Sequence, residues 1–399
     1  MIRDINIIND HVRYVGVNDR VSNLFESMWP LPQGVSYNSY LVTGSEKTAL
    51  IDGVEITFAP EQMEKIRQAL GDRRPDYLVI NHMEPDHSGA IDLLRAEWPE
   101  LCIVGNRQTL AMVEGFYGQS VPTLEVKDGD SLSLGGDCTL RFYLTPMVHW
   151  PETMMTLLEE ERTLFSGDAF GCFGALDGMV VDADADCSRY MPEMVRYYSN
   201  IVGKYGMFVQ RAFAKLKDAD FGTICPTHGP VWRDRLEEVV SLYDRMSRYE
   251  PLDEGAVVYY GSMYGHTQRV AEEMARVLVA SGVAPVEVMN VARQPLSDQI
   301  AAAFRHRRLL FCAPTYSGSL FPPMRQLLEA LTQRGLKDRL TGVAGGFTWA
   351  GVAGKEMTAL LTEACMAPLD AALEYKQNPD AAALAAARNL ATAIASADK

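Results

Sequence analysis

One short segment of the chain places several potential metal ligands close together. The sequence NHMEPDHSG, which directly follows an apolar run, contributes His82, Glu84, Asp86 and His87. Three further candidates each follow another apolar run, namely His149, Asp168 and His228. So many carboxylates and imidazoles are costly to bury together unless a cation neutralises the acids. Because strand ends can converge at one edge of a sheet, these residues predict a single metal centre.

The number and type of these donors limit the metals that fit. Seven ligands exceed what one tetrahedral ion can hold, but they suit two ions if one carboxylate bridges them. Zinc hydrolases of the metallo-β-lactamase type carry an H-x-H-x-D-H loop, whereas Glu84 stands here in place of their second histidine. Three carboxylates with four imidazoles form a harder, more anionic set, which favours iron or manganese over zinc.

A second group of residues indicates a site for a phosphate monoester. The run GSMYGHTQ at 261–268 joins an apolar strand to a helix, where hydroxyls and backbone amides can hold an anion. It lacks the lysine of a nucleoside-triphosphate loop and the G-x-G-x-x-G of a dinucleotide loop. Two later loops, APTYSGSLFPP and GGFTWAGVAG, offer polar and aromatic walls for a planar ring. The candidate contacts are Ser262, Met263, Tyr264, Gly265, His266, Thr267, Pro314, Thr315, Tyr316, Ser317, Gly318, Gly346, Phe347, Thr348, Trp349 and Gly351.

The spacing of apolar residues predicts a different fold for each part of the chain. From residue 39 to residue 228, short apolar runs alternate with helical segments at 60–70, 88–97 and 191–217, which predicts a mixed α and β domain. From residue 256 onward, strand and helix alternate five times, which predicts a parallel sheet with helices on both faces. The segment 241–255 turns polar and contains Pro and Gly, so we expect domains at 1–250 and 251–399.

Length, charge and cysteine content exclude several classes of protein. The chain has 399 residues with 47% hydrophobic content, which is enough for two separately buried cores. A formal net charge of −15 without a basic block argues against nucleic acid or an anionic membrane as the main partner. We find no export signal and no apolar stretch that could span a bilayer. Seven scattered cysteines without a Cys-x-x-Cys pair indicate a reducing compartment, so we expect a cytoplasmic protein.

These motifs resemble those of the flavodiiron proteins. The resemblance rests on the ligand loop and its three later ligands, and it extends to VGVNDR, WPLPQGVSYNSYL, HWPET and RYYSNIVG, so it covers essentially the whole chain. It implies an α/β protein with an N-terminal metallo-β-lactamase-like αββα sandwich and a C-terminal flavodoxin-like doubly wound parallel sheet. The family pattern assigns His82, Glu84 and His149 to one iron. It assigns Asp86, His87 and His228 to a second iron, with Asp168 as the bridge.

The same resemblance implies FMN in the second domain and a pair of irons in the first. The three loops of the second domain are similar to those of flavodoxin. Flavodoxin-like loops often carry Asn where His266 stands, and the family carries Gly where Thr348 stands. Such a protein reduces dioxygen to water, nitric oxide to nitrous oxide, or both. Tyr197, in the RYYSN segment, is a candidate hydrogen-bond donor to a bound oxygen species.

Electron supply and assembly also follow from the resemblance. A rubredoxin module needs two Cys-x-x-Cys pairs and this sequence contains none, so we expect a separate rubredoxin-like protein to donate electrons. The family further implies a head-to-tail homodimer, or a dimer of such dimers. In that arrangement the FMN of one chain serves the irons of the other.

Two other functions fit parts of the pattern. A zinc-dependent hydrolase fused to a flavodoxin-like domain needs no electrons, but Glu84 in the ligand loop argues against it. A plain electron carrier, in which the first domain only supports the flavin, leaves the complete ligand set without a role. The choice between dioxygen and nitric oxide stays open at this point, because both gases use the same metal ligands.

Overall fold

The chain clusters into two compact units. The computed structural model describes residue 4 and residues 6–118, 122–184 and 186–397. The first unit combines the chain up to Tyr198 with Met207–Asp244, and the second combines Ser199–Gly206 with the chain from Arg245 onward. The boundary predicted at residue 250 lies between helix Leu236–Ser247 and strand Asp253–Tyr260. The segment Ser199–Gly206 belongs to the second unit although it precedes that boundary.

The first part of the chain alternates short strands with helices. Its strands are β1 (Val12–Tyr14), β2 (Val17–Asp19), β3 (Leu24–Phe25), β4 (Trp29–Pro30), β5 (Val35–Tyr37), β6 (Tyr40–Thr43), β7 (Thr48–Ile51), β8 (Tyr77–Val79), β9 (Cys102–Gly105), β10 (Thr123–Glu125), β11 (Ser131–Ser133), β12 (Thr139–Leu144), β13 (Met154–Leu158), β14 (Thr163–Gly167) and β15 (Thr223–Pro226). Its helices are α1 (Ala59–Leu70), α2 (Pro85–Ser88), α3 (Ile91–Glu97), α4 (Arg107–Tyr117), α5 (Tyr190–Tyr197), α6 (Gly206–Lys215) and α7 (Leu236–Ser247).

Two sheets of the first unit pack face to face. One has the strand order β1-β6-β7-β8-β9-β10 and the other has the order β11-β12-β13-β14-β15. The Tyr40 ring of β6 lies 5.4 Å from the Phe165 ring of β14, and Tyr40 Oη donates to the Pro226 carbonyl of β15 at 2.6 Å. Strands β7, β8 and β9 are parallel, as are β14 and β15. The carboxyl ends of each parallel set therefore share an edge of their sheet, and the predicted sandwich is confirmed.

The second unit is a regular alternation of strand and helix. Its strands are β16 (Asp253–Tyr260), β17 (Val286–Asn290), β18 (His306–Tyr316), β19 (Ser319–Leu320), β20 (Leu340–Phe347) and β21 (Leu373–Lys376). Its helices after α7 are α8 (His266–Ala280), α9 (Leu296–Arg305), α10 (Pro322–Gln333), α11 (Ala353–Glu363) and α12 (Ala381–Ser396).

Its sheet has the order β17-β16-β18-β20-β21 with every neighbouring pair parallel. Residues alternate between the two faces, since Val258 of β16 packs in a core with Met274 of α8 and Ala391 of α12. The next residue, Tyr259, instead donates from its hydroxyl to the Gln299 carbonyl of α9 at 2.6 Å. Helices thus cover both faces, and this strand order is that of flavodoxin. The predicted doubly wound sheet is confirmed.

Several helices differ from the sequence prediction. The helix predicted over 191–217 is interrupted after α5 by a π turn at Tyr198–Val202, so α6 begins separately. A Cβ atom on Gly206, the first residue of α6, would lie 2.4 Å from the Ser247 carbonyl oxygen, so glycine alone fits this junction. Helix α7 continues through residues 241–247, although the polarity of the segment 241–255 predicted the domain boundary there. The helix continues because Tyr243 and Met246 lie on its buried face. None of the described helices has the length and apolarity needed to cross a bilayer.

Candidate metal centre and flavin site

Strand ends bring the predicted ligands together in the first unit. The ligand loop follows β8, Asp168 follows β14, His228 follows β15, and His149 lies between β12 and β13. Asp52, in a left-handed conformation just after β7, anchors the ligand loop. Its carboxylate accepts the backbone N–H and the side-chain amide of Asn81 at 2.8 and 3.0 Å. The loop is thereby held by a buried hydrogen-bond network.

The first half of the centre contains His82, Glu84 and His149. The Nε2 atoms of both histidines lie 3.2 Å from Glu84 Oε2. The same two nitrogens lie 3.6 and 3.0 Å from Asp168 Oδ2. One donor atom from each of the four residues can be chosen so that all lie within 4.8 Å of one another. This spacing fits donors arranged around one ion.

The second half contains Asp86, His87 and His228. Asp86 Oδ2 lies 3.4 Å from His87 Nε2 and 3.3 Å from His228 Nε2. Asp168 Oδ1 lies 2.9 and 3.5 Å from these same nitrogens. Asp168 therefore turns one carboxylate oxygen toward each half, as a ligand that bridges two ions must do. All seven predicted ligands meet here, and we propose them as the metal ligands.

The centre fits a pair of cations. In the described part of the chain, both carboxylate oxygens of Asp86 and Nε2 of the fully buried His228 have no hydrogen-bond partner. Burial lowers the pKa of His87, but the carboxylates of Asp86 and Asp168 outweigh burial and raise that pKa to about 9. Cations bound here would replace such protons and satisfy the free oxygens. Metal binding is therefore expected to weaken as the pH falls.

Residues behind the ligands orient the imidazoles. His82 Nδ1 lies 2.8 Å from Glu152 Oε1, and His228 Nδ1 lies 2.7 Å from the Ser36 carbonyl. Both histidines therefore present Nε2 to the centre. Thr227 Oγ1 donates to Asp168 Oδ1 at 2.6 Å. Glu152 was missed from sequence, and the available signal was an acid in the HWPET motif three residues after His149.

Tyr197 lies beside the second half of the centre. Its ring centroid is 5.4 Å from that of His228. Its buried hydroxyl has no hydrogen-bond partner among the residues that the structure describes. A buried hydroxyl in this position is available to a bound oxygen species. The predicted role of Tyr197 as a donor is therefore kept as a proposal.

A cavity of about 430 Å³ opens in front of the centre, and we call it the acidic cavity. Its wall includes the ligands Glu84 and Asp86 and three further acids, Asp19, Glu26 and Glu55. No lysine or arginine is part of this wall. Five acidic side chains thus lie in a wall that also contains the apolar side chains of Val21, Leu24, Phe25 and Phe58.

The second unit has a cavity of about 260 Å³ where the predicted flavin loops meet. It is lined by Ser262, Met263, Tyr264, His266, Thr267, Pro314, Thr315, Gly346, Phe347, Thr348, Tyr375 and Gln377. All but the last two were predicted from the three loops. Tyr375 and Gln377 come from the end of β21, at the same edge of the sheet, in a segment without a glycine-rich signature. The end of β21 was therefore the sequence feature that could have identified these two residues.

Six predicted contacts do not line this cavity, namely Gly265, Tyr316, Ser317, Gly318, Trp349 and Gly351. Gly265 instead makes the left-handed turn before α8, with φ of 90°. Ser317 and Gly318 form the tight turn between β18 and β19, which directs them away. Trp349 is 84% exposed beside the cavity. Contact of these residues with a flavin stays a prediction.

The cavity has the features that a flavin phosphate requires. Helix α8 begins at His266 without a side-chain cap, so its first backbone amides are available to an anion. The Gly265 N–H donates to Ser262 Oγ at 3.0 Å, which closes the loop. Tyr375 Oη donates to Thr267 Oγ1 at 2.9 Å and so positions that hydroxyl. The exposed rings of Tyr264 and Trp349 can cover a planar ring system.

Both units of the chain are similar to known proteins. A family model described as ODP family beta lactamase matches residues 35–229, and one described as flavodoxin matches residues 258–389. Anaerobic nitric oxide reductase flavorubredoxin of Aliivibrio salmonicida is 31% identical over 387 residues, covering 94% of this chain and 76% of that protein. The structure of rubredoxin oxygen:oxidoreductase from Desulfovibrio gigas covers 98% of this chain and 97% of its own, with 28% identity and a TM-score of 0.92.

The chain belongs to the flavodiiron protein family. The resemblance to this family that the sequence motifs predicted is thereby confirmed. As a flavodiiron protein it is an oxidoreductase with FMN and a di-iron centre as cofactors. The structure of the flavodiiron protein from Giardia intestinalis, at 24% identity, supports the fold. Its TM-score is 0.93, with 99% of this chain and 97% of that chain covered.

Replacing the proposed bridge tests the metal centre. In Asp168→Asn the negative charge between the two halves is lost, so a second buried cation is no longer neutralised. We expect iron content to fall from about two per chain to about one or less, measured by metal analysis. Asp220→Asn, at a side chain that is 75% exposed, is the matched control and should keep its iron. Full iron content in the Asp168 variant contradicts the bridging role.

Removing one hydroxyl tests the phosphate loop. Thr267→Val loses a hydrogen bond to a charged group, worth about 1.5–3 kcal/mol, so FMN should bind about tenfold to hundredfold more weakly. Flavin fluorescence titration of the apoprotein measures this. Thr362→Val, on the exposed side of α11, is the control and should bind FMN normally. Heat-released flavin that runs as FAD on chromatography overturns the assignment of the loop to a monophosphate.

Proposed function

We propose that this chain reduces nitric oxide to nitrous oxide, dioxygen to water, or both, at a di-iron centre that receives electrons from FMN. The observation that carries the proposal is the carboxylate of Asp168. Its Oδ2 lies 3.0 Å from His149 Nε2, while its Oδ1 lies 2.9 Å from His87 Nε2. A shared carboxylate between two histidine-rich halves suits two ions that act together on a diatomic gas.

The electron balance supports both gases. When bound, the flavin can supply two electrons and the two irons two more, which matches the four electrons and four protons that convert dioxygen to two waters. Two molecules of nitric oxide need only two electrons and two protons to form nitrous oxide and one water. A zinc hydrolase would have no use for electrons from a flavin, and Glu84 in the ligand loop also disfavours zinc.

Residues of this chain orient the proposed ligands and shield the hydroxyl of Tyr197. Glu152 and the Ser36 carbonyl keep His82 and His228 in the orientation that the metals need. Phe25 and Phe173 pack against Tyr197, with ring centroids 6.2 and 5.0 Å away, and shield its hydroxyl from water. That hydroxyl can donate a hydrogen bond to a substrate oxygen. Protons can approach through the acidic cavity.

The relatives divide between the two gases. The Aliivibrio salmonicida protein is named an anaerobic nitric oxide reductase flavorubredoxin, and the Desulfovibrio gigas protein is named a rubredoxin oxygen:oxidoreductase. Both names also point to rubredoxin. We propose a rubredoxin-like protein as the electron donor and the cytoplasm as the location, in keeping with the free cysteines. Arg269 and Lys355 are exposed next to the flavin loops, where an acidic donor could dock.

Turnover of the two gases under one donor tests the function. The iron-loaded, FMN-loaded protein is reduced through rubredoxin and its reductase, and consumption of nitric oxide and of dioxygen is recorded separately. We expect consumption of at least one gas, with nitrous oxide or water rather than peroxide as the product. NADH without the carrier is the control and should support little turnover. No consumption of either gas by the fully loaded protein rejects the proposal.

We further propose a head-to-tail homodimer, or a dimer of such dimers, in which the FMN of one chain serves the irons of its partner. Large apolar side chains are exposed beside both sites, which supports the proposal. Met263 and Tyr264 at the flavin cavity are 45% and 87% exposed, and Val21 and Leu24 at the acidic cavity are 79% and 47% exposed. Patches of this kind mark protein interfaces. A twofold arrangement would cover both at once.

A mixed dimer tests the route of the electrons. One chain carries His82→Ala and Asp168→Asn, and the other carries a flavin-loop substitution such as Gly346→Trp. The first chain keeps an intact flavin and the second keeps an intact metal centre, so about half of the wild-type turnover should remain. The two matched homodimers are the controls and should be inactive. Inactive mixed dimers would show that electrons pass within one chain.

A further inference from the structure

A second cavity of the first unit lies against α6 and is lined in part by sequence neighbours of His149 and Asp168. Its lining consists of Val148, Met155, Ala169, Phe170, Val209, Ala212, Phe213, Leu216 and Tyr243. We call it the α6 cavity. It has about 10 Å³ of room for the centre of a water-sized molecule, which is about what one such molecule needs.

The surface exposed inside the α6 cavity is apolar, and the one polar side-chain group of its wall is the buried hydroxyl of Tyr243. A water molecule inside would find at most the hydroxyl of Tyr243 among the side chains of the wall, fewer than the two to four polar partners that hold buried water, so the cavity should stay dry. Dioxygen and nitric oxide are small and nearly apolar, and they transfer favourably from water to apolar surroundings. The acidic cavity, whose wall combines five acidic side chains with apolar ones, has no such preference. The chemistry of the wall thus selects a small apolar gas.

The inner wall of the cavity is built from neighbours of two metal ligands. Val148 directly precedes His149, and Ala169 and Phe170 directly follow Asp168. Phe170 has a left-handed backbone with φ of 65°, a conformation that a bulky residue seldom adopts. Such conformations persist where the surrounding structure imposes them, often at functional sites. Here the turn directs the backbone after Asp168 along the cavity.

The outer wall is one face of α6. Val209, Ala212 and Phe213 lie on one face of α6, and Leu216, directly after the helix, continues the same spacing. Ala212 is the smallest side chain of this face, and it is buried. Phe213 is only half-buried, and its ring lies 6.1 Å from that of Phe170. The cavity is therefore closed to solvent at Ala212, and Phe213 is the residue of its outer wall that is most exposed to solvent.

We propose that the α6 cavity binds one molecule of the diatomic gas substrate and delivers it to the metal centre. The proposal rests on the proposed function for the identity of the gas. The gas would enter past Phe213, the least buried aromatic of the wall, and wait beside Ala169, next to the bridging ligand. Two separate environments would then serve one centre, with an apolar one for gas and a polar one for protons and water.

Noble gases test binding without turnover. Crystals of the FMN-loaded, iron-loaded protein pressurised with krypton or xenon should show gas in the α6 cavity. Ala212→Leu, which fills the cavity, should abolish this density. Ala214→Leu makes the same change two residues later on the exposed face of α6 and should leave the density unchanged. Absence of gas from the wild-type cavity overturns the proposal.

Steady-state kinetics test delivery. In Ala212→Leu the KM for the gas should rise at least about threefold while kcat, iron content and FMN content stay at wild-type values, since only binding of the gas is impaired. Ala214→Leu should match the wild type in every respect. Phe213→Ala, which widens the cavity and its cover, should increase noble-gas occupancy and lower the KM.

The outcomes separate the two proposals. A wild-type KM in both Ala212→Leu and Phe213→Ala, despite altered noble-gas density, means that the cavity is only a packing void, and the inference falls while the proposed function stands. If the wild-type protein consumes neither gas, the proposed function fails, and delivery to the centre fails with it. The krypton result then still decides whether the cavity binds an apolar gas. If Ala212→Leu does not fold, Phe213→Ala decides alone.

Discussion

The two oxygens of Asp168 face opposite halves of one donor set, and the first unit is arranged to make that possible. Three carboxylates and four imidazoles lie largely buried within a few ångströms of one another. Such a group is stable only when protons or cations balance its charge. When ions are absent, the carboxylates of Asp86 and Asp168 raise the pKa of His87 despite its burial, which favours a proton in that role. Two cations balance it better, because they also occupy the oxygens of Asp86 that have no partner in the described chain.

The same geometric rule positions both cofactor sites. In each unit the functional residues follow the carboxyl ends of parallel strands, where the chain leaves the sheet and its side chains become available. In the first unit Asp168 and His228 follow such strand ends, and Asp52 anchors the loop after β8 that carries four of the other five proposed ligands. In the second unit these ends position the phosphate loop and Tyr375, and the Tyr375 hydroxyl donates a hydrogen bond to Thr267 Oγ1. The sheets therefore act as rigid supports, and the loops carry the chemistry.

The surroundings of the metal centre divide by polarity. The acidic cavity presents five acidic side chains, two of which are proposed ligands, and is the path proposed for protons. The α6 cavity presents only apolar atoms and lies behind two of the ligand segments. A reaction that combines an apolar gas with protons and electrons needs both environments. Separating them keeps water from competing for the space that the gas occupies.

The sequence by itself determined the types of the proposed ligands, the mixed α and β character of the first domain, the parallel sheet of the second and most residues that line the proposed flavin cavity, because each depends on local spacing. Ligands clustered in one loop or placed directly after apolar runs can be recognised before any fold is known, and so can loops between strand and helix. Tertiary structure alone decided which oxygen of Asp168 faces which half, because that depends on how β8, β14 and β15 converge. It also decided that Glu152 meets His82 across 70 residues, and that Val148, Phe170 and Val209 enclose an apolar cavity. Contacts between distant segments leave no periodic signal in a single sequence, since they arise only when the sheets and helices pack.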